Sequence, residues 1–284
     1  LVLQFACLTA HSAAEVVPAC PVLANACRTG FPEKTNLERK NIMKDDLPAA
    51  SRYRPSIFAV PFQRHGDGTA VELLSTSEQD ALIAISRLVT VRRHTVLYPE
   101  GGDARFAYNI VSGVAETYQL LPNGDKRITA FLFPRDLMGL SENGAYVATA
   151  QSLTPLVAYR IPVEALAEIL ERDPRLDIGL LCKLCHELRR SQHHTITVSK
   201  NDAPARLASF LIWIQHAYPE QGRIEGEVML PMSRHDIADY LGLSVESVSR
   251  GLHVLETQEA VRRKGPRLIT VLDPAKLRSM AGQD

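Results

Sequence analysis

At 284 residues, with 45% hydrophobic and 23% charged residues and a formal net charge of zero, the chain has the composition of a globular protein large enough for two ordinary domains. Neutrality excludes a protein that coats nucleic acid through bulk positive charge, although a local basic patch suffices for a specific contact. Five cysteines in this length exclude a disulfide scaffold, and no uninterrupted apolar run reaches membrane-spanning length.

Residues 1–60 carry no sustained hydrophobic period and are interrupted by Pro18, Pro21, Pro32, Pro48 and Pro55. They read as a mostly disordered N-terminal extension. The opening LVLQFACLTA is apolar but lacks a basic lead, which argues against a signal peptide and for a cytoplasmic protein. Met43 is an alternative start. Residues 61–172 read as a sensor-like β domain. Ser77 and Asp80 have capping-box spacing ahead of Leu82, Ile83 and Ile85, so a helix opens there. Val91–Leu97, Phe106–Val111, Val114–Leu120 and Lys126–Phe133 are strand candidates separated by glycine turns. Asn123-Gly124 is the strongest hairpin signal among them. Short strands at this spacing predict an antiparallel β-roll or sandwich. Pro162 suits the first turn of a following helix, VEALAEILER.

Residues 173–200 form a long helical stretch after Asp173-Pro174. Leu181, Leu184, Leu188, Ser191, Thr195 and Val198 recur in it at spacings of three and four. Such a seam either pairs with the same helix of a second subunit, making a homodimer, or packs its leucines on its own β domain. Asn201 to Pro204 interrupts the helix and opens a third region, 201–284. Its first segment, RLASFLIWIQHAY, reads as a core helix with Trp213 as a packing residue.

The most informative stretch is SRHDIADYLGLSVESVSRGLHVLE at 233–256. Ser233 and Asp236 cap a short helix whose inward face is Ile237, Ala238 and Leu241. Gly242 permits a tight turn. Ser244 caps a second helix, with Val245, Val248, Leu252 and Leu255 as its apolar stripe. Glu246, Ser249 and Arg250 then share the outer face, beside His253. Arg250 suits guanine O6 and N7, Glu246 can accept from cytosine N4, and Ser249 can play either part. Ala260–Asp273 reads as a β-hairpin wing around Lys264-Gly265-Pro266. Its Arg262, Arg263, Lys264 and Arg267, with Ser233, Ser244 and Ser247 at the helix starts, are candidates for DNA phosphates. The whole reads as α+β: a β-roll, a long dimerisation helix and a C-terminal winged helix-turn-helix. The alternative is a helical pair whose charged face is merely solvated. There is no Ser-His-Asp context, phosphate loop or metalloprotease motif, so an enzyme is not indicated.

DIADYLGLSVESVSR at 236–250 and the run Thr95–Gly139, ending GDKRITAFLFPRDLMG, resemble the CRP/FNR superfamily of bacterial transcription regulators. The resemblance covers about residues 70–275, and the Glu246, Ser249, Arg250 reader is similar to the FNR and FixK branch. It implies a homodimer on a two-fold-symmetric, TTGA-like double-stranded DNA site, in contact with RNA polymerase. A cyclic-nucleotide sensor of this family has an acidic residue and an Arg-Ser pair. The equivalent PRDLMGLSENGAYVATAQS has no such pair, and Glu142 is its nearest carboxylate. A 4Fe–4S cluster would need four cysteines. Cys7, Cys20 and Cys27 lack a Cys-x-x-Cys pair, and the fourth position aligns with Tyr159. Haem has no motif. Cys182 and Cys185, at i and i+3 on one helix, are either a redox or metal site, with His186, His193 and His194 downstream, or small buried hydrophobes. The reading is a regulator with no resident cofactor. The alternative is one gated by an iron–sulfur, haem or cyclic-nucleotide site.

Overall fold

The computed structural model describes residues 54–61, 69–200, 202–217 and 226–283. The expectations for residues 1–53, including Met43, Cys7, Cys20 and Cys27, lie outside them. The last described part of the expected extension belongs to the folded body. Phe58–Ala59 (β1) pairs antiparallel with Val71–Glu72 (β2), and Ile57 and Ala59 are buried. Asn109 fastens this strap by accepting from the Ser56 amide at 3.0 Å and donating to the Ser56 carbonyl at 2.8 Å.

The first helix, Thr76–Ile85 (α1), is capped by Ser75 with Glu78, two residues upstream of the expected Ser77 and Asp80. Glutamate at the third helical position is a usual partner in this motif, and its side chain reaches the cap amide more easily than aspartate's. The expected strand Val91–Leu97 is two strands. Arg87–Val91 (β3) and Val96–Tyr98 (β4) are split by the polar run Arg92–Thr95, in which His94 takes a left-handed φ of 58°. Phe106–Ser112 (β5), Ala115–Leu120 (β6) and Lys126–Leu132 (β7) follow as expected. Leu137–Met138 (β8), Thr149–Ser152 (β9) and Leu156–Pro162 (β10) were not anticipated. The strands make two antiparallel sheets, ordered β3-β10-β5-β8 and β4-β9-β6-β7. Their facing sides enclose Val89, Ile110, Ala115, Leu132, Ala150 and Leu156.

Pro162 stands at the N-cap of Val163–Arg172 (α2) rather than inside it. Asp173 caps Pro174–Ser199 (α3), accepting from the amides of Arg175 and Leu176, with proline in the first turn. Ala203–Ala217 (α4) starts where the Asp202 carboxylate accepts from the Ala205 amide at 2.7 Å. Then come Glu227–Met229 (β11), Arg234–Leu241 (α5), Val245–Thr257 (α6), Val261–Arg263 (β12), Leu268–Val271 (β13) and Pro274–Met280 (α7). The wing is three-stranded, ordered β11-β13-β12, because β11 joins the expected hairpin. The described residues belong to one compact unit. Ile128, Phe131 and Phe133 of the roll share a buried cluster with Phe210, Leu211, Ile237, Leu241 and Val248. The break between α3 and α4 is therefore not a break in the core.

Candidate nucleic-acid interface

The turn between α5 and α6 is built as its residues dictate. Ser233 Oγ accepts from the Asp236 amide at 3.1 Å, and the Asp236 carboxylate takes the Ser233 amide at 2.7 Å. Gly242 closes α5 in the left-handed region, φ 63°. A β-carbon there would be strained, and so a non-glycine residue would shift the start of α6. Ser244 Oγ accepts from the Ser247 amide at 3.1 Å and bonds the Ser247 hydroxyl. Val248, Leu252 and Leu255 are buried, and Gly251 lets α6 come up against α4. A β-carbon at Gly251 would lie 2.5 Å from Leu207 Cδ1. The sequence reading missed this close approach.

Glu246, Arg250 and His253 are exposed on the opposite side of α6. The Glu246 carboxyl is held below the usual glutamate range by its own backbone amide, then by the Ser244 hydroxyl and by Arg250. It is therefore an ionised acceptor at neutral pH, suited to a base amino group. Ser249 is half-buried, and its hydroxyl accepts from Arg234 Nη1 at 3.2 Å. Arg234 was not singled out in the sequence. It follows the capping serine, and only the crossing of the two helices brings it to Ser249. Arg206 was also missed. It donates to the carbonyls of Leu241 and Gly242 at 3.0 and 3.3 Å and to Lys200 at 2.8 Å, bracing the turn.

The wing divides its basic residues. Arg262 is exposed and Arg267 half-buried. Arg263 is ion-paired with Glu256, and its amide donates to the same carboxylate at 3.0 Å. Lys264 is ion-paired with Glu227 at 2.7 Å. A phosphate contact by Arg263 or Lys264 thus competes with a pair already made, whereas Arg262 is available.

The α3 seam is open to solvent. Leu181, Leu184 and Leu188 are 51%, 48% and 61% exposed, and Ser191 and Thr195 continue the exposed face. The leucines do not pack on their own β domain, which removes that alternative. On its other face α3 carries Lys183, buried and bonded to Asp136 at 2.7 Å and to Glu187 at 2.8 Å. Arg190 reaches Asp136 at 3.3 Å and the Phe131 carbonyl at 3.2 Å. Burial opposes the Asp136 charge, but Arg190 and Lys183 outweigh it and hold the carboxyl near a pKa of about 2. The helix spacings of Lys183, Glu187 and Arg190 were visible in sequence; their partner Asp136 was not.

The other sites fare differently. Cys182 is buried and Cys185 exposed, so only one of the two thiols is open to solvent. Among the described residues no group of three or more His, Cys, Asp or Glu is placed to hold a metal. Tyr159, where the resemblance puts a fourth cluster ligand, is buried in β10 and supplies no thiolate there. Within the roll, Tyr98 and Tyr146 stack at 3.8 Å, and Tyr98 lies 5.7 Å from Tyr108. Glu142 is exposed. No described helix is long and apolar enough to cross a membrane.

Known proteins match this arrangement. Residues 205–280 match the Crp-like helix-turn-helix domain, and residues 88–173 match the cyclic nucleotide-binding domain. The chain is 32% identical over 248 residues to the fumarate and nitrate reduction regulatory protein of Vibrio cholerae, covering 84% of this chain and 98% of that protein. It is 31% identical to the transcriptional activator protein Anr of Pseudomonas protegens, covering 74% of this chain and 86% of that protein. It is 32% identical to the nitrogen fixation regulation protein FixK of Bradyrhizobium diazoefficiens, covering 61% and 73%. The structure of FixK2 from Bradyrhizobium japonicum superposes with a TM-score of 0.65 at 28% identity, covering 69% of this chain and 97% of that one.

Proposed function

The chain belongs to the CRP/FNR family of DNA-binding transcription regulators, in its FNR/FixK-like branch, and we propose that it acts as a cytoplasmic homodimer reading a two-fold-symmetric, TTGA-like site in contact with RNA polymerase. The observation that carries this is the outer face of α6. Glu246 and Arg250 stand exposed there, on a helix whose other side is buried. Exposed polar groups on a firmly seated helix are what major-groove readout requires. Ser249, steadied by Arg234, adds a hydroxyl between them. Arg262 and the helix starts at Ser233 and Ser244, with Ser247, meet phosphates.

Sites selected from random DNA should be palindromic. Arg250→Ala should weaken binding to them by about 1–3 kcal/mol per half-site. Unchanged affinity and base preference in a shift assay would refute the reader.

The exposed leucines of α3 support dimerisation through that helix. Leu184→Glu with Leu188→Glu should halve the mass seen by sedimentation while leaving the monomer's circular dichroism intact. A dimer that survives both changes places the interface elsewhere. The regulator is read as working without a resident cofactor, for which the buried tyrosine at position 159 is the support. An absorbance band above the protein's own, in material purified without oxygen, would overturn that.

A further inference from the structure

On the side of α3 turned away from the leucine seam lies a cleft of about 650 Å³, walled by α3, β7, α4 and α5. At 100° per residue, His186, Arg190, His193 and Thr197 fall opposite Leu181, Leu184 and Leu188. A partner docked on the three leucines therefore faces away from these four residues, while Ser191, farther along the seam, borders the cleft. Its volume is in the range of small-molecule sites, which favour such junctions. We propose that this cleft binds a planar aromatic carboxylate, a role that does not depend on the DNA-binding reading.

The walls set the class. Tyr240 is the centre of a ring cluster, with His194 stacked on it at 4.0 Å, Phe131 at 4.9 Å and Trp213 at 5.8 Å. Burial pushes the Tyr240 hydroxyl up to about 12 and lowers the pKa of His194. These groups thus present uncharged faces at neutral pH, suited to a flat apolar ring. The polar part is cationic. Glu187 is the single carboxylate on the walls, and Lys183 and Arg190 already neutralise it. Arg189, exposed, and Lys200 remain as net positive charge. Trp213 and Tyr240 both line the cleft, and the indole N–H and the phenol O–H can each donate to an acceptor held there. An aromatic ring bearing an anionic acceptor satisfies both halves of the cleft, and a guanidinium pairs with a carboxylate in two parallel bonds.

Trp213 is the chain's one tryptophan, so its emission reports this cleft alone. The test titrates full-length protein, without DNA, with 2-naphthoate, its uncharged alcohol analogue and cyclohexanecarboxylate, reading Trp213 emission and heat. The expected result is saturable naphthoate binding, at least about tenfold weaker for both analogues and for Arg189→Ala. Arg189 is exposed, so its loss leaves the fold intact. His194→Leu, which keeps an apolar wall but removes the stacking imidazole, should also weaken binding. No saturable binding below about 1 mM overturns the site. Equal binding of the alcohol overturns the anion, and indifference to both substitutions overturns the location. Because no DNA is present, failure here leaves the reader untouched, and failure of the shift assay leaves the cleft untouched.

Discussion

Two charged joints tie the β-roll to the rest of the chain, and they are built differently. At the first, Asp136 is enclosed by Lys183, Arg190 and the Phe133 amide, and all of its charge is answered. At the second, Glu116 of β6 and Lys126 of β7 face Asp236 and Asp239 of α5. There one lysine serves Glu116 and approaches Asp236 at 4.0 Å. Glu116 Oε2 and Asp239 Oδ2 are buried without a hydrogen bond. The firm joint holds the long helix, whereas the weak one touches α5, the first helix of the helix-turn-helix. A buried oxygen left without a hydrogen bond costs stability, so the second joint is the weaker of the two.

Neutralising one carboxylate at each joint should change stability in opposite directions. Asp136→Asn leaves the buried Lys183 and the half-buried Arg190 to share Glu187 alone and should cost about 3 kcal/mol in urea unfolding. A loss below about 1 kcal/mol would mean that the cluster is already solvated. The pair Arg263–Glu256 lies between the extremes, with side chains 29% and 23% exposed. Arg263→Ala should cost about 0.5–1 kcal/mol of stability, with little effect on DNA affinity. Arg262→Ala should leave stability unchanged, weaken binding to all sequences alike and lower the salt slope by about one. If Arg263 rather than Arg262 carries that salt effect, the wing opens its ion pair on DNA.

The helix-turn-helix was legible because it is local. Ser233, Asp236, Gly242 and Ser244 declare themselves by spacing within a single stretch, and the structure places each where that spacing puts it. The roll was legible where glycine turns bound the strands, as at Asn123-Gly124, and illegible where they do not, as at β9 and β10. Neither charged joint could be read. Asp136 is 47 residues from Lys183, and no period links them. The wing's basic run misled for a related reason. Arg262, Arg263 and Lys264 look alike in sequence, but two acids outside the hairpin, Glu256 on α6 and Glu227 on β11, separate them.

The smallest effect tests the weak joint most directly. Burial raises the pKa of Glu116 and of Asp239, and for Glu116 the Lys126 contact only partly offsets it. A carboxyl whose folded pKa is raised adds stability when protonated. That gain is present at low pH and lost as pH rises through the folded value. Asp136 behaves in the opposite way, since its depressed pKa keeps its contribution above the ordinary 3.8 and loses it only as pH falls toward about 2. Glu116→Gln imitates the protonated state. It should therefore raise the melting temperature by about 2 °C at neutral pH, the shift that under about 1 kcal/mol produces in a chain of this size. The advantage should shrink on acidification, as the wild-type carboxyl takes up its own proton. Calorimetry from about pH 7 down to about pH 4.5 reads this directly. An advantage that is constant across the range, or that grows toward acid, would show that Glu116 is answered after all and that the two joints are alike.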